Sequence, residues 1–237
     1  MTKNTEKPPY EEIGKHFTAY STYQKILKFN YMFHKDMSYK LAEFIKKNYS
    51  NQAFDFLDIG SGDATFVSKI LDGTKIKSYT AIDVSSEALK LAKANLAKIN
   101  CQKKFLTLDV SKDIPKPENK FDIIWSSYML HHLSQKEKEL FFRQCLSLLK
   151  ENSFFILVDL VNNYNTREEC LTNLRDYWID KWMNLDKADI DFLVDHVYSS
   201  DYPESVEKFF EIAKGTGFST SKLEHKIDHY AFMVFEN

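Results

Sequence analysis

Five short apolar segments alternate with helical segments between residues 54 and 160, and this alternation is the strongest constraint on the fold. A strand that is apolar on both faces must be covered on both faces, as strands are in a parallel sheet flanked by helices. The predicted strands are residues 54–59, 79–84, 105–109, 121–126 and 154–160. The pattern predicts an α/β fold with a mostly parallel central sheet.

Two more strand-like segments, residues 217–227 and 230–235, end the chain with only two residues between them. A connection this short joins antiparallel strands, because a parallel return needs a crossover of about a dozen residues or more. The sequence therefore predicts seven strands, mostly parallel, with an antiparallel last strand and helices on both faces.

Helical additions are predicted on either side of the strand pattern. Residues 1–50 form an N-terminal helical segment, expected to close over a ligand site in the main domain, residues 51–237. Residues 161–201 are polar and aromatic, contain no strand-like run, and are too many for an unstructured loop in a compact domain. We expect them to form a helical cap inserted after the fifth strand.

Composition excludes two classes of partner. The formal net charge is −2 and only three basic residues are Arg, whereas nucleic-acid binders normally carry a basic excess. The strongest apolar run, residues 154–158, is far shorter than the roughly 20 residues that span a bilayer. The three cysteines form no C-x-x-C pair and indicate free thiols in a reducing compartment. We expect a cytoplasmic protein, monomer or homodimer, that binds neither nucleic acid nor membrane.

A glycine-containing loop follows the first predicted strand, in residues 57–64 (LDIGSGDA). Gly60, Ser61 and Gly62 are small enough for a ligand to approach the backbone, and the following helix presents free N–H donors. By itself this loop is a weak signal, because many proteins contain one by chance.

Acidic residues near the ends of the first three strands strengthen that signal: Asp58, Asp83 and Asp109. The carboxyl ends of strands are where open α/β sheets bind ligands. Asp83 lies about 20 residues beyond the loop, the position from which a carboxylate accepts both hydroxyls of a ribose. Each acid alone could simply cap a helix, but three around one glycine loop favour a ribose-containing ligand.

These segments together resemble the motifs of class I, Rossmann-like S-adenosylmethionine-dependent methyltransferases, in their small-molecule branch. Residues 57–64 resemble the first motif, 81–84 the second, 108–110 the third and 121–133 (FDIIWSSYMLHHL) the fourth. The resemblance implies methyl transfer from S-adenosylmethionine to a small molecule, with S-adenosylhomocysteine as product. In it, Asp83 would hold the ribose hydroxyls and Asp109 the adenine amino group. The implied cofactor-binding residues are Asp58, Gly60, Ser61, Gly62, Asp83, Val84, Asp109, Val110 and Ser126.

Departures from the family pattern limit which methyl acceptors and which cofactor are expected. Ala64 replaces a third glycine, which its small side chain allows. Residues 126–128 read Ser-Ser-Tyr and not Asn/Asp-Pro-Pro-aromatic, which argues against members that methylate exocyclic amines of bases or the glutamine side chain. Thr65, where dehydrogenase fingerprints carry their third glycine, argues against a nicotinamide cofactor.

Catalytic candidates lie after the fourth and fifth predicted strands. For in-line methyl transfer the protein mainly supplies alignment and excludes water, and a general base is needed only for a protonated acceptor. His131, His132 and Asp159 are the candidates, although each could instead cap or support a helix. We expect no metal site, because neighbouring histidines on a helix diverge.

Aromatic residues are the candidates for acceptor binding: Tyr20, Tyr31, Tyr128, Tyr177, Trp178 and Trp182. They could equally pack the cap. An aromatic chamber suits an amine or hydroxyl of an aromatic or cationic metabolite, since ammonium groups dock on aromatic faces. Two other functions stay open: a non-catalytic S-adenosylmethionine-binding scaffold, and another reaction on this fold such as aminopropyl transfer or oxidoreduction.

Overall fold

The computed structural model describes residues 21–111, 114 and 120–237. These residues contain seven strands and eight helices. The strands are β1 (Phe54–Ile59), β2 (Ile76–Asp83), β3 (Gln102–Thr107), β4 (Phe121–Ser127), β5 (Leu149–Leu160), β6 (Thr220–Ile227) and β7 (Tyr230–Glu236). The helices are α1 (residues 21–29), α2 (His34–Tyr49), α3 (Thr65–Leu71), α4 (Ser86–Asn95), α5 (Gln135–Leu148), α6 (Arg167–Lys181), α7 (Lys187–Ser200) and α8 (Val206–Thr216). A short 3-10 turn occupies Leu130–His132.

All strands belong to one sheet with the order β3-β2-β1-β4-β5-β7-β6. Six strands are mutually parallel, and β7 runs antiparallel to both of its neighbours, β5 and β6. The predicted fold class is therefore confirmed. The chain moves outward from β1 to β3 and then returns to β4, so the sheet has a switch point between β1 and β4, where open α/β sheets bind ligands.

The sheet is covered on both faces by separate hydrophobic cores. In β1, Phe54 and Phe56 face the core shared with α2, α3, α4 and α6, whereas Leu57 and Ile59 face the core shared with α5 and α8. All six residues of β1 are buried. This double burial is the reason for the continuous apolar runs in the sequence.

Strand boundaries differ from the predictions at polar ends. β2 and β5 begin earlier than predicted, and β3 lies at Gln102–Thr107 instead of 105–109. Because β3 is an edge strand, its side chains alternate between exposed and half-buried positions, and its lysine-rich start does not look like a core strand. Asp109 consequently lies in the loop beyond β3.

Helices α6 and α7 fill the stretch predicted to be a helical cap. Each begins with a capping box, in which Thr166 pairs with Glu169 and Asp186 with Asp189. Such reciprocal hydrogen bonds satisfy free N–H groups at a helix start. None of the helices described here has the length and apolar character needed to cross a membrane.

A cluster of phenylalanines fills the core between the sheet and α5. The ring of Phe142 lies 5.2 Å from that of Phe155 and 5.0 Å from that of Phe235, with Phe209 and Phe218 also in contact. We predict that Phe142→Ala lowers the free energy of unfolding by about 3–5 kcal/mol in urea denaturation, because it leaves a cavity in a packed core. The control Leu91→Ala, at a 58% exposed position, should stay within about 0.5 kcal/mol. Equal effects of the two changes would contradict this account of the core.

Candidate active site

A cavity of about 430 Å³ opens at the switch point between β1 and β4. Asp58, the loop of residues 60–63, Trp125 and Ser127 line it from the sheet side. Side chains from α1 and α7, among them Tyr23 and Phe192, line it from above. Its volume is within the range of small-molecule sites, roughly 300–1,000 Å³.

The glycine loop is fixed to the neighbouring strand by its backbone. The N–H groups of Gly60 and Ser61 donate to the carbonyl oxygen of Ile82 at 2.8 and 3.1 Å. Gly60 has φ +71°, and a Cβ there would lie 3.2 Å from Cγ of Met129. Gly62 has φ +52°, and a Cβ at this residue would have no neighbour within 4 Å, so Gly62 borders open space at the cavity. The positive φ therefore favours glycine at both positions, and at Gly60 a side chain would also crowd Met129.

Asp83 is held in place at the end of β2. Its Oδ2 accepts a hydrogen bond from the N–H of Gly62 and its Oδ1 from the N–H of Ser85, both at 2.8 Å. Each carboxylate oxygen has a second lone pair, so the group can still accept ligand hydroxyls. The next residue, Val84, is 73% exposed and presents an apolar surface on this edge of the sheet.

Asp109 and Val110 lie on the same edge, in the loop after β3. Oδ1 of Asp109 accepts from the N–H and the hydroxyl of Ser111, at 3.1 and 2.6 Å. Val110 is half-buried against the core on the α5 side. Together with Asp83 and Val84 they lie beside the cavity, not within its lining.

Asp58 is a buried carboxylate that faces the cavity from β1. Burial raises its pKa to about 7; a 2.6 Å hydrogen bond from the Tyr79 hydroxyl opposes that rise, and the charge of Asp83 adds to it. A cationic ligand in the cavity would favour the ionised form of Asp58.

The resemblance implied that Ser126 lies under the ligand, but the strand turns its side chain away. Trp125 and Ser127 line the cavity, and successive residues of a strand point to opposite faces. Ser126 is fully buried on the other face. Ser127 therefore has the position that was expected for the side chain of Ser126.

Three histidines and two aspartates form a cluster at the far side of the cavity. Nδ1 of His131 lies 2.5 Å from Oδ1 of Asp159. Oδ2 of the same aspartate accepts a hydrogen bond from the backbone N–H of His131 at 2.9 Å. Asp201 faces both histidines, with Oδ2 3.8 Å from Nε2 of His131 and Oδ1 3.0 Å from Nδ1 of His132. Nε2 of His196 lies 3.8 Å from the same Oδ1. The cluster joins the predicted residues His131, His132 and Asp159 to two that sequence reasoning missed.

Charge pairing dominates the electrostatics of this cluster. Burial lowers the pKa of His131, but the charge and hydrogen bond of Asp159 outweigh burial, and the pKa is raised overall. Burial raises the pKa of Asp201, but the hydrogen bond from His132 and the nearby charge of His131 lower it overall. Burial also lowers the pKa of His196.

Backbone contacts bring Asp201 to the histidine turn. The N–H of Tyr202 donates to the His131 carbonyl oxygen at 2.6 Å, and Nε of Arg167 donates to the Asp201 carbonyl oxygen at 2.7 Å. The histidines lie in a 3-10 turn, and their ring centroids are 4.0 Å apart. The expectation that they diverge on a helix is therefore wrong. No spacing in the sequence relates position 201 to position 131.

Only some of the predicted aromatic residues line the cavity. Trp178, Trp182 and Tyr128 do, and Tyr31 stacks behind Trp182 with ring centroids 5.0 Å apart. Tyr177 does not, because it is one residue out of helical phase with Trp178, and its hydroxyl donates to Asp228 at 2.7 Å. Tyr20 lies outside the described residues.

His34 is a cavity-lining residue that the sequence analysis did not select. It is buried in the cavity wall between Tyr128 and Phe66, at ring-centroid distances of 4.3 and 5.5 Å. Burial lowers its pKa to about 4, so its imidazole is neutral at neutral pH. Its Nδ1 has no hydrogen-bond partner among the described residues.

Helices α1 and α7 meet above the cavity and form what we call the roof. The hydroxyl of Thr22 donates to Oδ1 of the buried Asp189 at 2.6 Å, and Lys25 pairs with the same carboxylate. Beside them, the N–H of Asn184 donates to the hydroxyl of Tyr31 at 2.8 Å. Residues before β1 thus bind residues after β5.

Residues 56–152 match the sequence model of a family described as a methyltransferase domain. A reducing polyketide synthase, Preu2 of Preussia isomera, is 29% identical over 128 residues, which are 53% of this chain and 5% of that protein. The release factor glutamine methyltransferase of Koribacter versatilis is 32% identical over 74 residues, 31% of this chain and 26% of that protein. The chain thus spans only a minor part of the curated relatives it matches.

Solved structures extend the similarity over nearly the whole chain. The plantazolicin methyltransferase BpumL, in complex with a monoazolic desmethylPZN analog and SAH, has a TM-score of 0.66 at 15% identity, covering 96% of this chain and 91% of that one. The DhpI–SAH complex has a TM-score of 0.58 at 13% identity, covering 92% of this chain and 93% of that one. Human N-acetylserotonin methyltransferase in complex with SAM has a TM-score of 0.55 at 17% identity, covering 77% of this chain and 47% of that one. At these identities the likeness concerns the fold alone, and the match to the methyltransferase-domain model covers residues 56–152.

Proposed function

We propose that the protein transfers the methyl group of S-adenosylmethionine to a small-molecule acceptor. The observation that carries this proposal is a single cavity lined both by the glycine loop of the cofactor site and by a histidine–aspartate cluster. In the reaction, a lone pair of the acceptor attacks the methyl carbon. The carbon–sulfur bond breaks with its electron pair on sulfur, and S-adenosylhomocysteine leaves.

The cofactor would lie across the carboxyl edge of the sheet. Its methionine end would enter the cavity beside Asp58, whose carboxylate suits the ammonium and sulfonium charges. Asp83 has free lone pairs for the ribose hydroxyls. The adenine would lie on the open edge, between Val84 and Val110 and near Asp109, as the family resemblance implies.

The acceptor would occupy the part of the cavity under the roof. Trp178, Trp182, Tyr128 and the neutral His34 provide flat surfaces there, which support a planar aromatic or cationic acceptor carrying an amine or hydroxyl. We propose that His131 and His132, oriented by Asp159 and Asp201, act on the acceptor and not on the cofactor.

We further propose that the N-terminal helical segment predicted over residues 1–50, of which residues 21–50 are described, forms the acceptor chamber together with the cap at 161–201, on a domain of residues 51–237. A cytoplasmic location is supported by Cys101, Cys145 and Cys170, which are all free thiols. Each chain carries its own cavity, which is compatible with a monomer or a homodimer.

The first prediction concerns the cofactor. Calorimetry should show micromolar binding of S-adenosylmethionine and S-adenosylhomocysteine and none of NAD. Asp83→Ala should weaken binding at least about tenfold, since a hydrogen bond to a charged group contributes about 1.5–3 kcal/mol. The control is Asp72→Ala, an exposed acid at the other end of α3, which should bind as the wild type does. A folded protein that binds neither adenosyl ligand would refute the proposed function.

Cofactor affinity should also depend on pH through Asp58. Its pKa is raised to about 7, so the carboxylate is ionised above that pH and protonated below it. Affinity for S-adenosylmethionine should therefore fall about tenfold for each unit below pH 7, because one pKa unit corresponds to about 1.4 kcal/mol. 5′-Deoxy-5′-methylthioadenosine, which lacks both positive charges, should show no such dependence.

A matched pair of variants tests this assignment. Tyr79→Phe removes the hydrogen bond that opposes the rise of the Asp58 pKa, so the midpoint of the pH dependence should move upward. Tyr39→Phe, at an exposed position, should leave the midpoint unchanged. Identical pH profiles for the two variants would show that another group titrates.

The aromatic wall can be tested separately from the cofactor. The chain has three tryptophans and all of them line the cavity, so intrinsic fluorescence reports its occupancy and can be used to screen acceptors. For an acceptor that supports S-adenosylhomocysteine formation, Trp178→Leu and Trp182→Leu should raise KM roughly tenfold or more, through loss of about 1.5–3 kcal/mol of aromatic burial. Tyr177→Phe is the control and should leave KM unchanged. If both tryptophan variants kept wild-type KM and kcat, the acceptor would bind elsewhere.

A further inference from the structure

We propose that His131, His132 and Asp201 form a binding site for a divalent transition-metal ion of the Zn²⁺ or Co²⁺ type. The donor set, two imidazoles and one carboxylate, is one that these ions accept. All three residues line the cavity, so a fourth coordination position faces the space shared with the glycine loop.

The spacing of the donor atoms fits such an ion. One ring nitrogen from each of His131 and His132 and one carboxylate oxygen of Asp201 all lie within 4.8 Å of one another. Nε2 of His131 lies 3.8 Å from Oδ2 of Asp201, and Nδ1 of His132 lies 3.0 Å from Oδ1 of the same carboxylate. Ligands at roughly 2.0–2.1 Å from a tetrahedral Zn²⁺ stand about 3.3 Å from each other, so only small side-chain movements would complete the site.

Asp159 gives an independent indication that His131 is oriented for a metal. Its Oδ1 lies 2.5 Å from Nδ1 of His131, and its Oδ2 accepts from the His131 backbone N–H. With Nδ1 occupied in this way, Nε2 is the nitrogen presented to Asp201. Metal-binding histidines almost always donate their second ring N–H to a carboxylate, a carbonyl or water, which fixes the ring and makes it a better ligand.

The charges of the cluster also favour a bound cation. Asp159 and Asp201 are both almost fully buried. Their only ion-pair partners among the described residues are histidines, namely His131 for Asp159, and His131, His132 and His196 for Asp201. A bound divalent cation would add positive charge next to these two carboxylates, beside that of the buried Lys138, whose ammonium interacts with both.

The position of the ion gives it a role in the reaction. An acceptor oxygen bound at the open position would have its pKa lowered by the cation, lose its proton to water, and present a lone pair to the methyl carbon. The carbon–sulfur bond then breaks as in the reaction above. This role rests on the proposed function, but metal binding does not.

Cobalt(II) is the probe that tests the site. The full-length protein, treated with EDTA and dialysed, is titrated with CoCl₂ while the visible spectrum is recorded. We expect intense absorption bands of tetrahedral Co²⁺ that saturate at one ion per chain and are bleached by ZnCl₂. A spectrum that remains that of hydrated Co²⁺ would overturn the proposal.

Variants identify the ligands. His132→Ala and Asp201→Asn should abolish the tetrahedral bands, and Asp159→Asn should weaken Co²⁺ binding roughly 10- to 100-fold, as the loss of a partner behind a ligand does. The control is His225→Ala, a histidine on β6 outside the cavity, which should keep the bands. Bands of wild-type affinity in both ligand variants would overturn the assignment.

Calorimetry with S-adenosylhomocysteine on the same samples separates this inference from the proposed function. Retained cofactor binding in the ligand variants shows that they are folded, so their loss of the bands supports the site. Tetrahedral bands in a protein that binds no adenosyl ligand would support the metal site and refute the methyltransferase activity. If the wild type bound the cofactor but showed no tetrahedral Co²⁺ bands, the proposed function would be supported and the metal site refuted.

Discussion

The pairing of β1 with β4 in the middle of the sheet is the constraint on which the rest of the site depends. Asp58 and Ile59 of β1 lie opposite Trp125 and Ser126 of β4, and β1 is fixed on its other side by β2. The segments that leave the two strands therefore emerge side by side, one as the glycine loop and the other as the histidine turn. The chain turns back at this switch point, and the cavity opens there, between the sheet and the roof. The glycine loop and the histidine–aspartate cluster are neighbours because the strands that lead into them are neighbours.

The features that the sequence could predict are those encoded locally. Apolar runs such as β1 require burial on both faces, so the parallel sheet follows from them directly. The two-residue connection before Tyr230 requires an antiparallel pair, and β6 and β7 form one. The glycine loop and the acid that ends β2 stand at a spacing that reflects one β-α-β unit, which is why this part of the site could be recognised from residue types alone.

What the sequence could not predict depends on the phase of a side chain or on distant contacts. Ser126 and Ser127 are equivalent in composition, and only the phase of β4 decides which of them faces the cavity. Tyr177 and Trp178 differ in the same way on α6. Asp201 reaches the histidines through the hydrogen bond from Tyr202 to His131, a contact between segments about 70 residues apart that no local pattern encodes. The sequence also did not indicate that the histidines form a 3-10 turn, in which their rings lie close together, because the segment was expected to be helical.

The roof has a consequence for the order in which the molecule assembles. The hydrogen bond between Thr22 and Asp189 joins residues 167 positions apart, whereas β1 pairs with β2, and β2 with β3, the next strands in the chain. Contacts of such large sequence separation carry the largest loop-closure cost and form after nearer ones have shortened the effective loop. During synthesis, α1 leaves the ribosome long before α7 exists and cannot yet form its contacts with that helix. The chamber is thus the last part of the molecule to become closed, and a nascent chain passes through a stage with a finished cofactor edge and an open top.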